Sequence, residues 1–224
     1  MADATGSVEF WNGHAEEWEA GTERDWEQGP RRAVLEFFCR MVPETGRVLD
    51  VGCATGVSTR RLLERGYAAV GVEQSPAMAE LARGRGVECC VSECDPLPFA
   101  DDSFDAVFAC TSLEWSANPA GIVREMARVV KPGGIIVAVT LGPYTRPRQS
   151  AFRRLYGEAV PHNMLMPWEL SRLLEEAGLA IQTQEGWYPP QVPPLAVELL
   201  AANWVLQASV AMLYGFAAHK PVTE

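Results

Sequence analysis

Four runs of apolar residues rich in β-branched side chains recur through the middle of the chain, at VLDV, AVGV, DAVFA and IIVAV. Helical stretches separate them, and none of the four has a polar face. Such runs are typical of strands that helices cover on both sides. Their alternation with helices is typical of β-α units in a parallel sheet. The sequence therefore predicts a doubly wound, Rossmann-like α/β fold.

Local start and stop signals support the same topology. A helix is expected to begin near Val57 and to end before Gly66, since glycine is common just beyond a helix C-terminus. Ser75 and Pro76 predict the start of the next helix, because serine caps helix N-termini and proline fits the first turn.

The last part of the chain completes the same domain in this interpretation. Helices are predicted from about 149 to 156 and from 167 to 177. The stretch 195–218 is apolar enough to suggest a membrane span, but polar groups within it are costly in hydrocarbon. These are Glu198, Asn203 and Gln207. We expect instead a short helix beside the sheet and a last strand near 209–218, with no stable membrane insertion.

Length and charge limit the classes of function. A chain of 224 residues with 48% hydrophobic content can fill one core, so a single domain 1–224 is expected. We divide it into N-terminal helices that cover a cofactor site (1–45), a cofactor-binding core (46–142), and a region with the last two strands (143–224) that would border the site of a second substrate, the acceptor. The net charge of −10 and the lack of a Lys or Arg run argue against nucleic-acid binding.

The N-terminus and the cysteines favour a cytoplasmic protein. The segment MADATGSVEFWNGHAEEWE is acidic and has no secretory signal pattern. Six cysteines without an export signal are expected to stay reduced. Cys89, Cys90 and Cys94 suggest a metal site, but adjacent residues on a strand point to opposite faces. We expect small apolar side chains at a strand end and no metal.

The segment VLDVGCATG, residues 48–56, predicts a cofactor site. A buried strand runs there into a glycine-rich turn and then a helix, so the backbone can approach a ligand near a helix N-terminus. The segment lacks the Lys-Ser or Lys-Thr of a triphosphate-binding loop. It also lacks the full dinucleotide fingerprint, because Val57 takes the place of its last glycine. A nicotinamide or flavin enzyme remains the alternative.

Glu73 ends the second strand, 21 positions after Gly52. A carboxylate there can accept hydrogen bonds from both hydroxyls of a ribose that has no 2′-phosphate. Both NAD and S-adenosylmethionine have such a ribose. A solvated carboxylate at a strand end is the structural alternative.

Four blocks follow one another between Arg47 and Leu141: VLDVGCATG, VGVEQSPAMAELAR, SECDPLPFADDSFDAVFACTSLEW and REMARVVKPGGIIVAV. In this order and spacing they resemble the class I S-adenosylmethionine-dependent methyltransferase family, in its small-molecule branch called methyltransferase type 11. The resemblance implies a seven-stranded, mostly parallel sheet with an antiparallel last strand and S-adenosyl-L-methionine across the carboxyl ends of the strands.

The resemblance also implies roles for single residues. The Asp50 and Gly52 region would lie against the methionine part, Glu73 would hold the ribose, and Gln74 and Met78 would lie near the adenosine. The candidate cofactor-binding residues are Trp11, Asp50, Gly52, Cys53, Ala54, Gly56, Glu73, Gln74, Met78, Glu93, Cys94 and Thr111.

Four further expectations come from the family's pattern. Glu93 stands where the family has Asp and would meet the adenine amino group, and the backbone N–H of Cys94 would meet the ring. The Thr111 backbone would approach the methionine amino group. Residues 113–115 would face the donor methyl group, although Glu114 replaces a common histidine. The N-terminal FWNGHAEEWE, with Trp11 and Trp18, resembles a segment that covers the cofactor; the alternative is an amphipathic helix packed on the domain.

The expected chemistry is methyl transfer to a small-molecule acceptor. Such a reaction needs alignment of the nucleophile, and a base only if the acceptor loses a proton. His162 is the first candidate base, followed by Glu114 and His14. An acceptor pocket is predicted from Met164, Met166, Trp168, Trp187 and Tyr188. A nicotinamide-type oxidoreductase and a catalytically silent S-adenosylmethionine-binding module remain as alternatives, and either a monomer or a homodimer is expected.

Overall fold

A computed structural model describes residues 8–143 and 145–222. The predicted single domain 1–224 also includes residues 1–7, 144, 223 and 224, which lie outside the described residues. The α-helices are α1 (Val8–Gln28), α2 (Arg31–Met41), α3 (Val57–Glu64), α4 (Pro76–Gly84), α5 (Pro119–Val129), α6 (Arg146–Ser150), α7 (Pro167–Glu176), α8 (Pro194–Leu199) and α9 (Trp204–Val210). Short 3-10 helices span Leu113–Trp115 and Ala151–Tyr156.

Seven strands form one sheet in the order β3-β2-β1-β4-β5-β7-β6. They are β1 (Arg47–Val51), β2 (Ala68–Glu73), β3 (Cys89–Val91), β4 (Phe104–Cys110), β5 (Val130–Leu141), β6 (Ala180–Trp187) and β7 (Leu213–His219). The pairs from β3 to β5 are parallel, and β7 runs antiparallel to both β5 and β6. The predicted fold class is confirmed. The antiparallel last strand lies one place inside the sheet, and β6 forms the edge.

Apolar side chains cover both faces of this sheet. Along β4, Val107 and Ala109 pack against α5, α7 and α9, whereas Ala106 and Phe108 pack against α2 and α3. Neighbouring residues of a strand point to opposite faces, so a strand buried on both sides has no polar face. This two-sided burial explains why the four apolar runs lack alternation.

The helix signals in the first half were correct. Helix α3 begins at Val57, and α4 begins at Pro76 with Ser75 as its cap, whose Oγ accepts from the Met78 N–H at 3.2 Å. The predicted helix at 149–156 was displaced: an α-helix starts at Arg146, with Pro147 in its first turn, and a 3-10 helix follows.

The C-terminal region differs from the prediction. Two short helices replace one, and β7 begins at Leu213, four residues later than predicted. The Asn203 side chain accepts from the N–H groups of Val205 and Leu206, so it starts α9 and keeps Ser209 within a helix. Helix α8 buries no residue, whereas α9 buries Ala208. In residues 8–143 and 145–222, no helix is long and apolar enough to cross a membrane.

Candidate active site

A cavity lies at the carboxyl ends of the central strands, where the strand order reverses between β1 and β4. Open α/β sheets bind their ligands at such a switch point. This strand-end cavity holds about 820 Å³ of empty space. Ten of the twelve predicted cofactor residues line it: Trp11, Gly52, Cys53, Ala54, Glu73, Gln74, Met78, Glu93, Cys94 and Thr111.

The glycine-rich turn after β1 forms the floor of the strand-end cavity. Gly52 has φ 70°, and a Cβ there would lie 2.4 Å from the Cβ of Ser112. Gly56 has φ 79°, and a Cβ there would lie 2.8 Å from that of Ala82 in α4. Both positions therefore require glycine. Gly56 lies outside the cavity lining, so its local role is the close packing of α3 against α4.

Glu73 is buried at the end of β2, and both of its carboxylate oxygens face backbone donors. Oε2 accepts from the Ala54 N–H at 3.0 Å, and Oε1 accepts from the Ser75 N–H at 2.9 Å. Burial raises the pKa of Glu73, and these N–H groups oppose that rise. The Gln74 N–H also bonds to this carboxylate, so of its roughly four acceptor positions about one stays open to a ligand. The carboxylate therefore braces the glycine-rich turn and can still bind a ribose hydroxyl, whereas a 2′-phosphate would meet a like charge.

Asp50 lies beneath the turn and does not line the strand-end cavity. Its Oδ2 accepts from the Ser58 Oγ at 2.6 Å and from the Thr59 Oγ1 at 2.7 Å. Burial raises the pKa of Asp50 to about 6, although the two hydroxyls lower it. In the structure this carboxyl joins β1 to the first turn of α3.

Arg31 connects the covering helix to the end of β4, and sequence reasoning missed it. Its guanidinium donates to Asp25 of α1 and, at 2.8 Å, to the Thr111 Oγ1. It also lies over the Trp18 ring, 5.8 Å from the centroid. Nothing in the local sequence separates Arg31 from the exposed Arg32, because only the tertiary packing brings one of them into the cavity.

The adenine-side candidates lie at the opposite part of the strand-end cavity. Cys94 is buried with φ 66°, and its N–H points to the Ser92 Oγ at 3.4 Å. Glu93 is exposed and lines the cavity beside it. Met78 is buried beneath Trp11 of α1. These positions agree with a flat ring held between β3 and α4.

Three tryptophans form the wall where α1 meets the 3-10 helix after β4. The ring centroids of Trp11 lie 5.5 Å from Trp18 and 4.9 Å from Trp115, in edge-to-face arrangements. The Trp115 Nε1–H donates to the Thr111 carbonyl at 3.0 Å. Such contacts fix the rings in place.

A second cavity, the outer cavity, adjoins the first and has about 1270 Å³ of space, with the part that is open to solvent included. Its wall includes α1, α6 and the segment that ends at His162. The two cavities share five residues: Trp11, Trp18, Thr22, Arg31 and Trp115. A molecule in one cavity would therefore lie next to a molecule in the other. Met164, Met166, Trp168, Trp187 and Tyr188 line neither of these two cavities.

His162 lines the outer cavity and is 3% exposed. Its Nε2 lies 2.7 Å from the Pro147 carbonyl, which can only accept, so Nε2 carries the proton. Among the described residues Nδ1 has no hydrogen-bond partner. Burial lowers the pKa of His162, which favours the neutral ring. A neutral imidazole with this tautomer presents Nδ1 as a proton acceptor.

Glu114 lies away from both cavities. It is fully buried, and its Oε1 accepts from the Thr140 hydroxyl and the Leu141 N–H. Burial raises its pKa. The carboxyl joins the 3-10 helix after β4 to the end of β5, and this position offers no access to an acceptor. His14, the third candidate base, is exposed on α1 in the outer cavity and its Nδ1 binds the Phe10 carbonyl.

Helix α1 covers the strand-end cavity and is held by charge. Glu19, Glu23 and Glu27 form one acidic ridge that pairs with Arg60, Arg61 and Arg85. Nearer the N-terminus of α1, the Asn12 Oδ1 accepts from the Ser75 hydroxyl at 2.7 Å and from the Ala77 N–H at 3.2 Å. The segment FWNGHAEEWE therefore packs on the domain, and two of its residues, Trp11 and Trp18, line the strand-end cavity.

The cysteines are free thiols in the structure. The Cys53 Sγ in the glycine-rich turn lies 3.5 Å from the Cys89 Sγ in β3, and both are buried. In the described ranges, no group of three His, Cys, Asp or Glu side chains is placed to hold a metal ion.

The fold and the strand-end cavity are typical of doubly wound proteins that bind a nucleoside cofactor at the switch point of the sheet. A family model described as a methyltransferase domain matches residues 49–138. A malonyl-[acyl-carrier protein] O-methyltransferase of Halorhodospira halophila is 32% identical over 148 residues, which are 62% of this chain and 50% of that protein. An uncharacterised protein of Methanocaldococcus jannaschii is 32% identical over 154 residues, which are 66% of this chain and 70% of that protein.

Solved structures show the same fold. A chain in the complex of the Haloferax volcanii Trm112 methyltransferase activator with a methyltransferase matches with a TM-score of 0.72 and 21% identity, over 95% of this chain and 98% of that chain. Residues 49–138 therefore carry a methyltransferase domain of the class I S-adenosylmethionine-dependent type, whose cofactor is S-adenosylmethionine. It spans about half the length of the first curated relatives that it matches. These comparisons give no support to the oxidoreductase alternative.

Proposed function

We propose that the protein transfers the methyl group of S-adenosylmethionine to a small molecule held in the outer cavity. The observation that carries the proposal is that the two cavities adjoin and share side chains, Trp11, Trp18 and Trp115 among them. The methyltransferase-domain match supports S-adenosylmethionine as the cofactor, and the buried Glu73 carboxylate fits a ribose without a 2′-phosphate.

The proposed cofactor contacts follow from the lining of the strand-end cavity. Glu73 binds the ribose, Glu93 and the Cys94 N–H bind the adenine edge, and Met78 packs against the ring. Arg31 is added as the cation for the methionine carboxylate, since it lines both cavities and already donates to Thr111. Asp50 and Gly56 act beneath the surface, by holding the turn.

When bound, the cofactor supplies an electrophilic methyl group on a sulfonium, which is already a good leaving group. Glu73, Arg31 and the Cys94 N–H would hold the cofactor while its methyl group passes to the acceptor, with S-adenosylhomocysteine as the other product. The chain's own contribution is alignment and exclusion of water, through the tryptophan wall and α1. His162 takes the acceptor's proton on Nδ1 if the acceptor is protonated.

Calorimetry tests the proposal directly. The full chain is titrated with S-adenosylhomocysteine and, separately, with NAD. We expect micromolar binding of the first and no heat with the second. Glu73→Gln should weaken binding of S-adenosylhomocysteine about 10-fold or more, because a charged hydrogen-bond acceptor contributes roughly 1.5–3 kcal/mol. Glu80→Gln, an exposed residue on α4 with no partner among the described residues, is the matched control.

Transfer itself is measured with S-adenosylmethionine labelled at the methyl group and pools of small hydroxyl, carboxyl, amine and thiol compounds. Transfer of the label to a compound in one of the pools supports the proposed methyltransferase activity. Binding of NAD in place of S-adenosylhomocysteine would contradict the proposal, and tight cofactor binding without transfer to any pool would favour a silent binding module.

A further inference from the structure

The wall of the outer cavity formed by residues 146–162 carries positive charge without a carboxylate partner. Arg146 lines the cavity and is exposed, and within the described ranges it makes no ion pair and no hydrogen bond. The Arg154 guanidinium donates only to the Ala151 carbonyl, at 3.1 Å. By contrast, Arg153 pairs with Glu158, and the buried Arg148 binds backbone carbonyls. Arg154 is not part of the cavity lining, so Arg146 is the cation of this wall that is available to a ligand.

Arg146 lies on the same wall as the candidate proton acceptor, since both residues line the outer cavity. Arg146 precedes Pro147, whose carbonyl accepts from the His162 Nε2–H. A cation near a reacting oxygen favours its ionised form. This side of the cavity is thus suited to a negatively charged group.

The rest of the outer cavity is mainly aromatic. Phe10, Trp11, Trp18 and Trp115 contribute their rings, and the carboxylate of Asp25 is neutralised by Arg31. Glu17, exposed on α1, is the one cavity-lining carboxylate of the described residues that has no ion pair. Aromatic walls select flat apolar bodies. The unpaired charges of the described lining are thus Arg146, on the His162 side, and Glu17, on α1, so an anionic group is expected on the Arg146 side.

We propose, on the basis of the proposed function, that the acceptor is a ring-containing organic anion whose carboxylate or phenolate binds Arg146, with its ring against the tryptophan wall. Methyl transfer then occurs at an oxygen, or at an atom close to the anionic group. A guanidinium is suited to this role because it pairs with a carboxylate through two parallel hydrogen bonds.

Three probes with the same ring test the proposal: 2-naphthoate, neutral 2-naphthamide and the cation 2-naphthylmethylammonium. Each is titrated by calorimetry at pH 7.5 into the full chain already saturated with S-adenosylhomocysteine. We expect 2-naphthoate to bind at least 10-fold more tightly than 2-naphthamide. Arg146→Gln should reduce this ratio to less than 3-fold without changing the Kd of the amide. Arg153→Gln, which alters a cation already paired in the same segment, should preserve the ratio.

The other outcomes overturn the inference. They are equal affinity for anion and amide, preference for the ammonium probe through Glu17, no binding of 2-naphthoate at millimolar concentration, or an unchanged ratio in Arg146→Gln. Saturation with S-adenosylhomocysteine before each titration tests the proposed function separately from the anionic acceptor. Failure of S-adenosylhomocysteine to bind contradicts the proposed function, whereas normal saturation with indifferent probes contradicts only the anionic acceptor.

Discussion

Asp50 couples protonation to folding because it is a buried carboxyl whose partners are hydroxyls and not cations. Its pKa rises from 3.8 to about 6 in the folded chain. Between these values the folded state holds a proton that the unfolded state has released, so stability falls as pH rises from 4 to 6 and then stays level. This group alone accounts for about 3 kcal/mol of the loss, at 1.36 kcal/mol per pKa unit.

Asp50→Asn tests this coupling because it keeps the size and removes the charge. Denaturant unfolding of the apo protein should give similar stabilities for variant and wild type near pH 4. The variant should gain on the wild type by about 3 kcal/mol between pH 4 and pH 7. A difference that does not change with pH would show that the carboxyl is ionised throughout.

His162 is expected to be neutral, with the proton on Nε2. The Pro147 carbonyl fixes that tautomer, and burial lowers the pKa below the ordinary 6.5. Long-range proton–nitrogen NMR spectra between pH 5 and 8 measure both properties without an acceptor, and His162→Asn assigns the signals by removing them. A protonated Nδ1 at pH 7, or a titration midpoint above 6.5, would remove the case for His162 as a base.

At the scale of elements, α1 depends on the ion pairs of its acidic ridge. Glu23 is the centre, since it pairs with Arg60, Arg61 and Arg85 at 2.8–3.2 Å. Partly exposed pairs contribute roughly 0.5–1 kcal/mol each and do not add fully. Glu23→Gln should therefore raise the Kd for S-adenosylhomocysteine about 5-fold at 50 mM NaCl, as the covering helix opens more often.

Salt distinguishes this effect from a change in the cavity itself. The difference between Glu23→Gln and wild type should fall below about 2-fold at 0.5 M NaCl, because ions screen exposed charges. Hydrogen exchange over residues 8–28 should be faster in the variant. Glu16→Gln, on the same helix, alters a residue that makes no ion pair within the described part of the chain, and should match the wild type in both measurements. An effect that persists at high salt would point to altered packing of α1.

The sequence was most informative where structure depends on neighbouring residues. The turn at Gly52, the cap at Ser75 and the two-sided burial of β4 are local, so their positions followed from spacing and composition. Arg31, by contrast, meets Thr111 across 80 positions of chain, and Glu114 turns inward beneath β5. Such placements depend on how helices cross the sheet, which residue spacing does not specify. For the same reason the outer cavity is lined by α1 and α6 and not by the apolar residues expected around 164–188.

At the scale of the whole molecule, one sheet with an apolar layer on each face should unfold as a unit. Trp26 and Trp187 belong to one layer, and Trp204 packs on the other. Because both layers are built on the same strands, β1, β4 and β5, loss of one layer exposes the sheet and so destabilises the other layer. If the chain is the single domain predicted from its length, melting curves from tryptophan fluorescence and from far-ultraviolet circular dichroism should coincide. Trp26→Phe and Trp204→Phe assign the fluorescence signal to each face of the sheet.

S-adenosylhomocysteine at 100 times its Kd should raise the free energy of unfolding by about 2.7 kcal/mol and the Tm by roughly 5 to 10 °C. Both probes should shift together, since the ligand joins the ends of β1, β2 and β4; a second transition that does not respond to ligand would mean that β6 and β7 form a separate unit.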